Sequence, residues 1–108
     1  MKKRENILLI VRKEPGKDAT VDYIENRLEV FQAAVGGYIE TVRFAQDGVL
    51  IVNEEGRLLG LPDNTVMGMH LVGTVVCVGV KGEEFAGLKA ANVPILLRGM
   101  RNRDAGTA

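Results

Sequence analysis

Tyr38, Arg43, Asn53, Arg57, Asn64 and His70 are the residues of this chain whose chemistry suits a small ligand, and they fall within about thirty positions of one another. A guanidinium fork pairs with phosphate, an aromatic face stacks on a flat ring, and carboxamides bond to base edges. The same arginines paired on a strand with Glu40 or Glu55 would read no differently. No catalytic residue is assigned. His70 is the single imidazole and follows Met67-Gly68-Met69; it could touch a phosphate or act as a base, but no nucleophile stands at a recognisable spacing from it. Cys77 lies in an apolar run with no flanking base and reads as a small core residue. Glu54 and Glu55 are adjacent in a turn, where side chains point apart, so no metal is assigned and no cofactor is expected. Gly36-Gly37 lacks the later glycine and the Lys-Ser/Thr that define a phosphate loop.

Composition narrows the classes. A chain of 108 residues, 46% hydrophobic and 26% charged, suits a single domain. Fourteen basic and fourteen acidic groups cancel, so no overall field draws the chain to nucleic acid or to a membrane surface. Residues 14–63 nevertheless hold ten acidic groups against four basic ones. One cysteine precludes an intrachain disulfide and fits a reducing compartment, and with one histidine it leaves no zinc set. Met1-Lys2-Lys3-Arg4 has the charge of a signal-peptide start, yet the apolar run behind it, Ile7 to Val11, is too short for one. No stretch approaches the roughly 18 apolar residues of a spanning helix, and a cytoplasmic location is expected.

Hydrophobic period and turn chemistry supply the elements that must position those residues. Ile7 to Val11 and the alternating Ala19, Val21 and Tyr23 predict a hairpin closed by Glu14-Pro15-Gly16-Lys17. Asn26, with Glu29 three residues on, has the spacing of a capping box, and Ile24, Leu28, Phe31 and Val35 predict one face of a helix that Gly36 ends in the left-handed conformation. Tyr38 to Phe44 and Val49 to Val52 predict a second hairpin about Asp47-Gly48, its return strand apolar on both faces and therefore central. Asn53-Glu54-Glu55-Gly56 predicts a tight turn, Arg57 to Leu61 a further extended segment, and residues 62–70 a loop. Leu71 to Val80 predicts a core strand in which Gly73 and Gly79 mark a bulge or a close approach. Asn92 then caps a closing helix with Ile95, Leu96 and Met100 inward, and the tail frays from Arg101. The class is α+β: a mostly antiparallel sheet of five or six strands, one helix packed on a face, and a C-terminal helix.

The order Val35-Gly36-Gly37-Tyr38-Ile39-Glu40, Asn53-Glu54-Glu55-Gly56, Leu61-Pro62-Asp63-Asn64, Gly73 to Val80, then Phe85 with Leu88, resembles a small family of phage, prophage and plasmid accessory proteins known as a domain of unknown function. The resemblance covers roughly residues 7–90, and the Arg-rich, Pro-containing C-terminal helix departs from it. It implies a mobile-element origin and, by analogy of size and context, an anti-defence sponge that binds a nucleotide-type signalling molecule without altering it. Two alternatives stand beside this reading: an interaction module or DNA mimic using the acidic middle, and a small nucleotide hydrolase centred on His70. A chain this short has little interior left for a deep pocket, so a homodimer or larger homo-oligomer with its site near the interface is expected.

Overall fold

The computed structural model describes residues 6–103. Its strands are β1 (Ile7–Lys13), β2 (Thr20–Glu25), β3 (Ile39–Ala45), β4 (Gly48–Asn53), β5 (Asp63–Val66), β6 (Met69–Val72), β7 (Val75–Lys81) and β8 (Glu84–Ala86), and its helices are α1 (Leu28–Val35) and α2 (Val93–Gly99). β2, β1, β7, β4 and β3 lie side by side in that order with every pairing antiparallel, and β8 adds to β7 beyond the end of its pairing with β1. β5 and β6 form a separate two-stranded hairpin. This is the α+β class expected from the sequence.

Both faces of the sheet are covered, and this is why Val49 to Val52 of β4 and Val75 to Val78 of β7 are apolar without alternation. On one face α1 packs Phe31 and Val35 against Leu8, Ile10, Ile51, Val76 and Val78, and the Phe31 ring meets Phe85 edge-on with centroids 5.1 Å apart. On the other face the β5–β6 hairpin and α2 bring Val66, Val93 and Met100 onto Val11, Leu50, Val75 and Cys77.

Several local expectations change. The capping box does not form: α1 starts at Leu28 with Arg27 in the cap position and no side-chain cap, while the Asn26 amide reaches the Phe85 carbonyl (3.5 Å). Leu28 is 57% exposed and the helix face is completed by Val30 and Ala34 instead. Gly36 does take the left-handed conformation, at φ +82°, where its N–H donates to the Gln32 carbonyl. In β2 the expected alternation points the wrong way, since Val21 and Tyr23 are exposed and Ile24 is buried. β2 is the edge strand; its Asp22 carboxylate takes the Tyr23 N–H (2.8 Å) and the Arg12 guanidinium (3.0 Å), which together hold it below its ordinary pKa.

Residues 57–61 are not extended. They coil through three backbone bonds, Leu59 to Glu55, Gly60 to Arg57 and Leu61 to Gly56. The expected loop at 62–70 is the β5–β6 hairpin, turned by Met67 and Gly68 with φ of +52° and +78°. Those are the positive values that a two-residue hairpin turn requires, here supplied by a Met-Gly pair that ordinary turn preferences do not flag. The single strand expected over Leu71 to Val80 is divided at Gly73 (φ +77°), with Leu71 and Val72 in β6 and the core strand starting at Val75.

In α2 Met100 and Val93 are buried, but Ile95 is 61% exposed. Asn92 occupies the cap position without a side-chain bond, because a 3-10 turn at Ala90–Asn92 runs straight into the helix. The tail is tied down as far as Asn102, whose N–H donates to Asp18 Oδ1 (2.7 Å), next to a bond from the Ala19 N–H to the Met100 carbonyl; the remainder of the expected fraying lies outside the described residues.

Phe31→Ala should therefore cost about 3 to 5 kcal/mol through loss of a fully buried ring, and Leu28→Ala no more than about 0.5 kcal/mol. Urea unfolding of the two variants compares them directly, and equal losses would mean that α1 is rotated from the face described.

Candidate functional site

The six residues singled out in the sequence do not share one site. Asn53 is buried on the α1 face, where its amide donates to the Val35 carbonyl (3.1 Å) and its oxygen accepts from the Glu55 N–H (2.7 Å). Asn53 thereby joins the end of α1 to the turn after β4. Asn64 is fully buried on the opposite face, with Nδ2 donating to the Lys13 and Gly73 carbonyls (2.9 and 2.7 Å) and Oδ1 accepting from Lys13 Nζ (2.8 Å). Arg43, opposite Val49 in the ladder, faces the α1 side and closes the β3–β4 turn by donating to the Gln46 carbonyl (2.5 Å).

Arg57 and His70 do meet, but through backbone: the guanidinium donates to the His70 carbonyl (2.6 Å), and the imidazole is exposed on β6. Arg57 lines a shallow depression of about 250 Å³ with Glu40, Glu54, Glu55 and Leu58. Tyr38 is 66% exposed and borders a smaller one, about 220 Å³, with Asn53 and Leu59.

A larger concavity lies elsewhere. A groove of about 560 Å³ runs between the β3–β4 turn, the β7–β8 hairpin and α2, within the usual range of roughly 300 to 1,000 Å³ for ligand pockets. Phe44, Leu88 and Leu96 provide apolar walls, Lys81, Lys89 and Asp47 provide charge, and Asn92 offers a carboxamide. Neither lysine forms a salt bridge among the described residues.

Glycines make the groove possible. Gly48 and Gly79 face each other across β4 and β7; a Cβ on Gly48 would lie 2.5 Å from the Phe44 ring, and one on Gly79 would lie 2.9 Å from the Gly87 carbonyl oxygen. The Ala86-Gly87-Leu88 segment can thus press into the gap between β7 and β1, where the Leu88 N–H donates to the Leu9 carbonyl (2.9 Å). The sequence signal that points here is Gly79, the expected close approach; Phe44 reads as a strand residue and Asn92 as a cap, and Lys81 and Lys89 carry no site signal in the sequence.

Residues 7–98 match the family described as a domain of unknown function, DUF3846, which spans most of the chain. The chain belongs to the DUF3846 family. No curated protein and no solved structure matches it. The DUF3846 match runs from the start of β1 to within α2, so both walls of the groove lie inside the family domain. Within it Cys77 faces the second core, and burial pushes its thiol up to about 12.

Two outcomes follow from this packing. Because the folded state holds the Cys77 proton more tightly than the unfolded state, the thiol contributes stability that is lost as pH rises from about 9 toward 12, and a thiol reagent at neutral pH should label the protein only at its unfolding rate. Asn64→Leu should cost about 1 to 3 kcal/mol in urea unfolding, since two buried carbonyls lose a donor and Lys13 loses an acceptor. Rapid labelling of the native protein, or a neutral Asn64→Leu, would contradict the packing of the second face.

Proposed function

We propose that this protein is a non-catalytic binder that sequesters a small anionic ligand of nucleotide type in the groove between the β7–β8 hairpin and α2. The observation that carries the reading is the composition of that groove: one aromatic wall at Phe44, two lysines that form no salt bridge among the described residues, Asp47 and a carboxamide around an otherwise apolar hollow. An aromatic face suits a base, ammonium groups suit phosphate, and Asn92 with Asp47 suits the hydrogen-bonding edge of a base.

Such a binder fits the sponge role expected of a phage or plasmid accessory protein that removes a signalling nucleotide from a host defence pathway. His70 is exposed on β6 and does not line the groove, so the hydrolytic alternative centred on it would need a different site.

Equilibrium dialysis against cyclic dinucleotides and ADP-ribose derivatives tests the reading, with bound material recovered after denaturation. At least one class should bind, return unchanged and raise the melting temperature. Lys81→Ala and Lys89→Ala should each weaken binding by about tenfold or more, the equivalent of a lost charge-assisted bond of about 1.5 to 3 kcal/mol, with unfolding unaffected. Absence of binding across the panel, or recovery of a hydrolysed product, would overturn it.

A further inference from the structure

The turn after β4 carries an apolar projection for which the single chain has no use. Leu58 is 87% exposed, Leu59 57% and Tyr38 66%; Leu59 borders the same depression as Tyr38, where the Glu54 N–H meets the Tyr38 carbonyl, and Leu58 borders the neighbouring one beside Arg57. Large apolar side chains at a turn tip cost solubility, and a cluster of them marks a contact surface. The tip is set among Glu40, Glu54 and Glu55, with Arg57 the one basic group beside them.

The groove has the opposite character. Its walls are apolar, Ile95 stands 61% exposed at its margin, and its lining holds Lys81 and Lys89 against Asp47 alone. The two features also sit at opposite ends of the same strand: Asp47 and Gly48 open β4 at the groove, and Asn53 closes it at the tip, about 20 Å away for six residues of strand. A projection at one end and a hollow of matching polarity and opposite charge at the other cannot meet within one chain.

We infer that a second copy of this chain supplies the occupant: the Leu58–Leu59 tip of one copy seats at the mouth of the groove of the next, head to tail, with Glu54 and Glu55 toward Lys81 and Lys89. Such a contact is heterologous and so builds a ring or an open chain instead of a two-fold dimer. The contact does not rest on the binding function proposed above and needs no ligand; because it engages Lys81 and Lys89, it competes with that ligand for the groove.

Sedimentation velocity of the ligand-free protein tests the contact separately from nucleotide binding. The wild-type mass should rise with concentration from the micromolar to the millimolar range and fall with added salt, which screens exposed charges. The double substitution Leu58→Asp with Leu59→Asp, and separately Ile95→Asp, change exposed positions, so both proteins should keep the wild-type melting transition and each should sediment as a monomer. Mixed together, they should form a one-to-one heterodimer, because the first retains a groove and the second a tip. A wild type that stays monomeric across the range, or monomeric variants whose mixture fails to pair, would overturn the inference. Dialysis of the Leu58→Asp with Leu59→Asp variant, whose groove no tip occupies, then reports on nucleotide binding alone.

Discussion

The carboxamide of Asn64 ties the second half of the chain to the first. Its three bonds reach the backbone of β1 at Lys13, the backbone after β6 at Gly73, and the ammonium group of Lys13. That hold brings the β5–β6 hairpin across the sheet, and the hairpin delivers Val66 to the core beside Leu50, Val75 and Cys77. A fully buried lysine is tolerated only where its ammonium is hydrogen-bonded, and Lys13 also donates to the Glu14 carbonyl (3.2 Å). The polar contact thus fixes where the hairpin lands, and the hydrophobic contacts around it supply most of the driving force.

Covering the second face has a structural consequence at the other end of the sheet. β7 is bordered by β1 along Val75 to Cys77 and by β8 along Gly79 to Lys81, on the same side, so the sheet changes neighbours in the middle of its central strand. The chain leaving β8 has to pass over that junction to reach α2, and the glycines at 79 and 87 permit the close backbone approach. α2 then packs Val93 and Met100 downward, leaving Ile95 at the surface and a hollow between the helix and the β3–β4 turn. The groove arises from the route of the chain, and its lysines come from the turn and connection on either side of β8.

Much of this was legible residue by residue, and the failures have physical causes. The Gly36 cap and the central position of β4 could be read because each depends on local chemistry, positive φ at a helix end and a strand apolar on both faces; the β3–β4 hairpin was also legible, although its turn is Gln46-Asp47 and the Gly48 of the expected Asp47-Gly48 turn opens β4 opposite Ala45. Leu28, Val21, Tyr23 and Ile95 were placed inward because periodicity shows that apolar residues share a side without showing how far the opposing layer extends. α1 starts too late to bury Leu28, and α2 is too short to cover Val21 and Tyr23 on the edge strand. The β5–β6 hairpin escaped notice because its turn is Met67-Gly68 and its buried anchor is an asparagine, neither of which carries a strand signal.

The proposed grouping of Arg43 with Arg57 failed for a reason built into the sheet. Side chains alternate between faces along a strand, and Arg43 lies opposite Val49, which packs under α1. Arg57 belongs to the turn on the other face, where it holds the β6 carbonyl of His70. Residues fourteen positions apart in sequence are therefore separated by the thickness of a sheet that is packed on both sides. No small rearrangement can bring them to one ligand without moving a core in which Ile10, Leu50, Ile51 and Val76 are all fully buried. A chain organised in this way carries its hollows at the two ends of β4, the groove beside Phe44 at one and the depressions beside Arg57 and Tyr38 at the other, because the two faces between them are filled by packing.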